Sequence, residues 1–330
     1  MTAPLHDSGT ATLEVPADPT VAPAKIVGRS PGRIAWERLK KDKVALGGGL
    51  VVLLLILVAI LAPVLTSLFG HPTDELHTSE LDPNLGTPKG ALGGISGKFL
   101  LGVDPVFGHD IFSRVVYGAQ ISLVVAFGAA ILAVVIGVLL GMAAGFLGGW
   151  VDTAISRSMD VLLAFPQLLF SIALVSVMPD KVFGFSGSAP RIFVLIFVIG
   201  FFGWPYIGRI VRGQTLSMRE REFVEAARSL GAGRIYILIK ELLPNLLAPI
   251  LVYTTLMIPT NILNEAALSF LGVGVRPPTP SWGQMLSDAV TYFTIDPMYM
   301  VIPGLAIFIT VLSFNLFGDG LRDALDPKGN

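Results

Sequence analysis

The sequence lacks cysteine and contains few charged residues. None of its 330 residues is cysteine, which excludes disulfides, thiol chemistry and thiolate metal sites. Only 14% of the residues are charged and 53% are hydrophobic, whereas soluble domains are roughly one quarter charged. The formal net charge of -1 leaves no surplus of Lys and Arg to neutralise phosphates, so nucleic acid is not an expected partner. The composition predicts a protein whose partner is the lipid bilayer.

Nucleotide-binding and hydrolytic motifs are also missing. The segment nearest to a Walker A motif, residues 93–99, has Phe99 where the motif needs Ser or Thr after the Lys, so it cannot cradle phosphates. No Gly-x-Ser-x-Gly, His-Glu-x-x-His or EF-hand pattern occurs. We therefore predict that the chain is not itself an enzyme and binds no cofactor. Two histidines among acidic residues, His71 and His77, leave a metal site as an alternative, but such a polar segment is more typical of a solvated loop, and no metal is predicted.

Six segments are apolar enough and long enough to cross a hydrocarbon core about 30 Å thick. Just before the second segment, the apolar residues Ile111, Phe112, Val115 and Val116 predict a short interfacial helix. The six predicted spans are residues 44–70, 122–146, 161–178, 192–208, 246–271 and 297–318.

The distribution of Lys and Arg predicts the orientation of the spans, because short cytoplasmic loops carry the excess of positive charge. With the N-terminus inside, the inner segments hold 17 of the 23 basic residues. Both termini and the loop at 217–245 are therefore expected on the cytoplasmic side.

Small residues recur every fourth position along the second span. Such a face allows another helix to approach closely, either within the chain or at a seam with a second subunit. The series is Ala129, Ala133, Gly137, Gly141, Gly145 and Gly149.

The loop at 217–245 has an order of its own. Its first half predicts an amphipathic helix with Phe223, Ala227 and Leu230 on the apolar face. Gly231 and Gly233 should end that helix. A second helix is expected to place Ile235, Leu238, Ile239 and Leu242 on one face, and Pro244 is expected to mark the return into the bilayer.

The spacing within this loop resembles the EAA loop of bacterial ABC importer permeases. The match consists of Glu225-Ala226-Ala227, then Gly231 four residues later, then Leu243-Pro244 after eleven more; Glu241 stands where the family usually has an apolar residue. In that family the loop is a coupling helix that seats in a cleft of the ATPase subunit. The resemblance therefore implies that the following residues dock the ATPase: Arg221, Glu225, Ala226, Ala227, Arg228, Gly231, Leu243 and Pro244.

Three further segments, residues 102–123, 264–283 and 314–327, resemble the dipeptide, oligopeptide and nickel branch of this family, and most closely its second permease subunit. The resemblance implies an all-α integral membrane protein with six transmembrane helices and the type I ABC importer permease fold, located in the bacterial plasma (inner) membrane. The implied partners are a homologous second permease, two ATPase domains that bind ATP and Mg, and an extracytoplasmic solute-binding protein.

These observations together predict the domain organisation and the function. The function is ATP-driven import of di- or oligopeptides; nickel, heme or another small polar solute is the alternative substrate, and a membrane-embedded enzyme or passive channel is a remote alternative. Near the outer end of the fifth span, Asn261, Asn264 and Glu265 are expected to line the path or to bond a neighbouring helix. The predicted parts are a disordered cytoplasmic tail (1–43), a first transmembrane helix (44–70), an external loop (71–110), a core of five transmembrane helices (111–320, with the coupling loop 217–245) and a cytoplasmic C-terminal tail (321–330).

Overall fold

The structure is a computed structural model that describes residues 31–177, 181–182 and 185–326. The predicted disorder of residues 1–30 and the end of the C-terminal tail, 327–330, lie outside the described residues. The elements are α1 (Pro31–Leu39), α2 (Lys43–Ile60), α3 (Ala62–Phe69), a 3₁₀ turn (Thr78–Glu80), α4 (Ile111–Leu147), α5 (Gly149–Ala164), α6 (Gln167–Val177), β1 (Lys181–Val182), β2 (Phe185–Ser186), α7 (Ala189–Met218), α8 (Glu222–Ser229), α9 (Arg234–Tyr236), a π-helical segment (Ile237–Leu242), α10 (Leu243–Phe270), α11 (Trp282–Ala289) and α12 (Pro297–Leu325).

The prediction of a disordered tail up to residue 43 is wrong for its last part. Residues 31–39 form α1, whose Ala35 and Leu39 are buried against Ala45 of α2 and Ala324 of α12. Ala35 and Leu39 lie four positions apart and so share one face of α1. This face can pack on α12 because α12 extends to residue 325. The predicted C-terminal tail is likewise helical over residues 321–325.

Within the described residues, five helices are long and apolar enough to cross a membrane, and a bent pair adds a sixth span if counted as one. That pair, α5 and α6, replaces the straight span predicted at 161–178, and its two halves meet at 81°. The break falls at Phe165, whose extended backbone (φ -81°, ψ 133°) is the conformation that a following proline, Pro166, favours.

The second span is much longer than predicted. Residues 111–147 form one helix of 37 residues, or about 55 Å, so the segment expected to be a separate interfacial helix is its first turns. The side chain of Asp110 caps its start by accepting a hydrogen bond from the Phe112 N–H at 3.1 Å.

The small-residue face of α4 packs against α7, which runs parallel to it. A Cβ at Gly141 would approach the carbonyl oxygen of Gly208 within 2.6 Å, and one at Gly145 would approach that of Arg212 within 2.8 Å. The internal alternative is thus confirmed for this face, and the seam with another subunit is excluded there because α7 already fills the groove. Gly149 does not belong to the face, since it lies beyond the end of α4 and a Cβ placed on it would meet no other segment within 4 Å.

The long helices alternate in direction, apart from the parallel pair α4 and α7, and this gives the bundle two distinct ends. We call one of them the terminal end: it holds α1, the end of α12 at Leu325 and the loop from α7 to α10. There Arg38 links α1 to the end of α12 by donating a hydrogen bond to the Asp326 carbonyl at 2.7 Å. The opposite end carries residues 71–110, which fold back on themselves through bridges at Leu81–Pro88 and Val103–Asp110.

Candidate functional site

The candidate site is the loop from Arg219 to Leu242 at the terminal end. Its first helix, α8, begins after Arg221, has acidic residues in its first turn and Arg228 in its last, an arrangement that favours the helix dipole at both ends. It ends at Gly231, whose φ of +82° is the left-handed conformation that glycine adopts most easily. The Ala232 N–H donates to Ala227 and the Gly231 N–H to Arg228, at 3.0 and 2.9 Å, which is a Schellman cap.

The inner face of the loop is anchored in the bundle. Val224, Ile237 and Leu242 are each at most 1% exposed and pack with Met142 of α4 and Val211 of α7. The three residues predicted on the apolar face of α8, Phe223, Ala227 and Leu230, do share a face, but that face lines an exposed groove, where Leu230 is 89% exposed. The buried side chain of α8 is Val224.

The second half of the loop also differs from the prediction. Residues 234–270 form one continuous helical path, so Pro244 does not mark a turn. The wider π-helical segment ends at Leu242, two residues before Pro244. Pro244 has no N–H to give to the usual acceptor four residues earlier. Of the predicted apolar face, Leu242 is buried, while Ile235 and Ile239 are 73% and 52% exposed.

The outer face of the loop forms an apolar groove at the hinge between α8 and α9. Leu230 and Tyr236, which is 54% exposed, stand beside Gly231 and Gly233 around a volume of about 540 Å³. Exposed apolar surface of this kind on a membrane protein's polar end is typical of a contact with another protein. The groove is lined by Phe223, Ala226, Ala227, Leu230, Gly231, Ala232, Gly233, Tyr236 and Glu241.

The residues that the resemblance assigned to docking are only partly gathered in this groove. Ala226, Ala227 and Gly231 line it, while Arg221, which precedes α8, and Glu225 of α8 are exposed outside its lining. Arg228 is exposed too, and its guanidinium lies over the ring of Phe146 at 5.6 Å. Leu243 is half-buried and Pro244 is exposed at the start of α10. Sequence reasoning missed Val224 and Ile237 as anchors, although Val224 lies three residues before Ala227 and so shares its face.

Ion pairs join α5 to α7 near the terminal end of the bundle, next to the loop. Arg212 makes two hydrogen bonds to Asp152, one of them 2.7 Å long between Nη2 and Oδ2, and Arg209 bonds Asp160 at 2.7 Å. Arg219 reaches the Gly145 carbonyl at the end of α4 at 3.2 Å. These contacts tie the loop to α4, α5 and α7, so we expect the four segments to move together.

We expect the Asp152–Arg212 pair to be worth about 1 kcal/mol, because it is two-pronged and its side chains are only 21% and 32% exposed. A double-mutant cycle with Asp152→Asn and Arg212→Gln, measured by unfolding in detergent, gives this coupling. The matched control is Arg33–Glu37, a pair on α1 with side chains 68% and 42% exposed, for which about 0.3 kcal/mol is expected. Equal coupling in the two cycles would contradict the assignment.

The three residues predicted near the path are placed between helices. Glu265 is fully buried and accepts hydrogen bonds from Ser122 at 2.8 Å and Ser269 at 2.7 Å. Asn261 donates to the Ala126 carbonyl of α4 at 3.1 Å, and Asn264 is half-buried. Glu265 and Asn261 therefore hydrogen-bond a neighbouring helix, α4, which is one of the two predicted roles. Their role in a transport path stays a prediction.

Comparison with known proteins gives the family of the chain. Residues 137–329 match the family described as binding-protein-dependent transport system inner membrane component. Residues 30–83 match the N-terminal transmembrane domain of oligopeptide transport permease C. This second match includes the first predicted span, residues 44–70.

Two relatives align with almost the whole chain. The dipeptide transport system permease protein DppC of Alkalihalophilus pseudofirmus is 42% identical over 91% of this chain and 90% of its own. The glutathione transport system permease protein GsiD of Escherichia coli (strain 536) is 43% identical over 94% of this chain and 95% of its own. A chain of the MetNI methionine ABC transporter, solved in inward-facing conformations, superposes with a TM-score of 0.51 at 20% identity, covering 66% of this chain and 98% of that one. This likeness confirms the predicted type I ABC importer permease fold.

Proposed function

We propose that this chain, which belongs to the family of binding-protein-dependent transport system inner membrane components, is the permease subunit through which a separate ATPase drives the import of short peptides. The observation that carries the proposal is the hinged loop, an exposed apolar groove at Gly231 backed by side chains buried in the bundle. The DppC and GsiD relatives, whose names concern a dipeptide and glutathione, support a peptide substrate.

The energy source in this proposal is a partner protein. ATP and Mg would bind two ATPase domains, because this sequence has no Walker A motif. The other proposed partners are a homologous second permease and an extracytoplasmic solute-binding protein. The excess of Lys and Arg in the tail, the coupling loop and the C-terminus supports a multi-pass inner membrane protein with both termini cytoplasmic.

The groove can transmit force because its floor is part of the bundle. Val224 and Ile237 are buried against α4 and α7, so a partner that moves α8 also moves the ends of these helices. Coupling cannot exceed the difference in the free energy with which the loop binds the two states of the ATPase. Residues 217–245 are thus proposed as the coupling loop, residues 44–70 as an accessory span and residues 111–320 as the transport core.

The proposal is tested by reconstituting the chain with its neighbouring permease, ATPase and binding protein in liposomes. We expect ATP-dependent uptake of dipeptides or glutathione that stops when the ATPase is omitted. Leu230→Asp should abolish co-purification of the ATPase, because it puts a charge on an 89% exposed apolar side chain of the groove. Leu85→Asp, at an exposed leucine (75%) of residues 71–110, is the control and should leave ATPase binding unchanged. Uptake without ATPase, or unchanged ATPase binding in Leu230→Asp, would contradict the proposal.

A further inference from the structure

The short helix α1 lies beside the first turn of the span that follows it. Its Ala35 and Leu39 are buried against Ala45, in the first turn of α2, and against Ala324 near the end of α12. Only residues 40–42 separate α1 from α2. Because α2 is apolar enough to cross a membrane, α1 lies where the chain enters the bilayer.

The outer face of α1, opposite Ala35 and Leu39, carries an indole ring and positive charge. Arg33, Trp36 and Lys40 share this face because they are spaced by three and four residues. The Lys40 N–H donates to the Trp36 carbonyl at 3.1 Å, so Lys40 continues the last turn of α1. Trp36 is 53% exposed, and the Lys40 ammonium lies 5.1 Å from the centre of its ring. Tryptophan beside a basic side chain is typical of helices at the boundary between headgroups and acyl chains.

Positive charge is concentrated in this part of the sequence. Residues 25–43 contain seven of the 23 Lys and Arg residues of the chain and only two acidic residues. Residues 319–328, which include the end of α12, contain two basic and three acidic residues. The excess of positive charge is therefore on the α1 side, and it is complementary to an anionic partner.

Contacts within the chain divide the basic residues of this region into two groups. Arg38 and Lys41 line a pocket together with acidic residues from the end of α12, and Arg33 pairs with the glutamate four residues later at 3.2 Å. Lys40 and Lys43 are exposed outside the lining of that pocket. These two lysines therefore present their charge to the surroundings of the bundle.

We propose that α1 and the turn to α2 bind the headgroups of anionic phospholipids, with Lys40 and Lys43 at the phosphates and Trp36 beside the acyl chains. Basic clusters directly next to a membrane span attract anionic lipids. The surface that α2 exposes to lipid continues into this site, since Val44 in the first turn of α2 is an apolar residue with 61% of its surface exposed.

The turn that presents the two lysines is fixed by a helix cap. Asp42 accepts hydrogen bonds from the Val44 and Ala45 N–H groups at 2.9 and 3.0 Å. Its negative charge is thus directed at the positive end of the α2 dipole, while Lys40 and Lys43 lie on either side of it. A bound headgroup would hold α1 against α12 and so fix the first span relative to the bundle.

The test uses the full chain in detergent, titrated with phosphatidylglycerol and followed by native mass spectrometry. Phosphatidylethanolamine, which has no net charge, is the comparison lipid. We expect preferential binding of phosphatidylglycerol that weakens when ammonium acetate is raised from about 50 to about 500 mM, because salt screens exposed charges. Lys40→Gln with Lys43→Gln should weaken this binding roughly 5- to 30-fold, since each basic residue near a membrane surface contributes a factor of about five.

The matched control is Arg234→Gln with Lys240→Gln, which removes two exposed positive charges elsewhere at the terminal end. It should leave phosphatidylglycerol binding unchanged, and inorganic phosphate at the concentration of the lipid should not displace it, because phosphate has no acyl chain. Equal binding of the two lipids, displacement by phosphate, or an equal loss in the control variant would each overturn the proposal.

A second measurement locates the outer face of α1 in a membrane. Because the chain has no cysteine, Arg33→Cys carries a single fluorescent label in the otherwise unchanged protein. In vesicles of phosphatidylglycerol and phosphatidylethanolamine, a quencher on the lipid headgroup should reach the label, and iodide in the water should reach it less than in detergent. Unchanged access of iodide would contradict the proposal. So would a Lys40→Gln, Lys43→Gln chain that loses the ATPase in co-purification but keeps phosphatidylglycerol, since the lysines would then bind the ATPase.

Discussion

A Gly231→Ala chain is expected to insert normally and to lose ATP-driven transport by roughly 5- to 30-fold. The cause is the backbone, because Gly231 has φ +82° and no atom lies within 4 Å of the place that a Cβ would take. A left-handed conformation costs an L-residue about 1–2 kcal/mol, which corresponds to a factor of about 5–30 in the population of the hinge. Uptake into proteoliposomes, normalised to inserted protein, measures the effect.

Gly233→Ala is the matched control for this prediction. Gly233 also has nothing within 4 Å, but its φ is -70°, which alanine adopts without strain. The two variants add the same methyl group to the same loop and differ only in the backbone conformation that the new alanine must adopt. If both lose transport equally, the groove is sensitive to the side chain rather than to the hinge, and if neither loses transport, the coupling role of Gly231 is wrong.

A Gly141→Leu chain is expected to fail at folding. Even the first carbon of its side chain would lie 2.6 Å from the Gly208 carbonyl oxygen and 3.2 Å from the Arg212 backbone nitrogen. These are backbone atoms, so α4 and α7 must separate along the face where they pack most closely. Overpacking alone costs about 1–3 kcal/mol of folding free energy, and the lost contact between α4 and α7 adds to this cost. The total stability of a folded protein is only about 5–15 kcal/mol.

The yield of monodisperse protein in detergent and its Tm are the measurements. Gly213→Leu is the control, since Gly213 lies on α7 with nothing within 4 Å of a Cβ. We expect a near-complete loss of folded protein for Gly141→Leu and a normal yield for Gly213→Leu. Similar yields for the two variants would show that α4 and α7 do not pack through this face.

Much of the fold was predictable from local chemistry. Lipid satisfies no backbone group, so each long apolar run had to become a helix, and in the part of the chain that the structure describes five such helices lie where the apolar runs are. Capping residues were also readable, since Gly231 ends α8 as glycine typically does. The bend at Phe165 could have been found as well, because Pro166 restricts the residue before it.

The site was predictable only in outline. The spacing from Glu225 to Pro244 located the loop, and the periodicity grouped Phe223, Ala227 and Leu230 on one face, but it did not show that this face lines an exposed groove with Leu230 89% exposed. An eight-residue helix has too few turns for its pattern to fix which side is buried. Contact with Met142 and Val211, which are distant in sequence, decided that Val224 faces inward.

The sequence by itself determined that this chain is a helical membrane protein, that its glycine hinge lies between apolar spans and that it contains no Walker A motif. These properties depend on composition and on neighbours a few residues apart. Only the tertiary structure decided that α7 fills the small-residue groove of α4, that Glu265 bonds Ser122, and that His71 meets His77 on Phe99. Each of these contacts joins segments whose relative position no local pattern records, because packing of the whole bundle sets it.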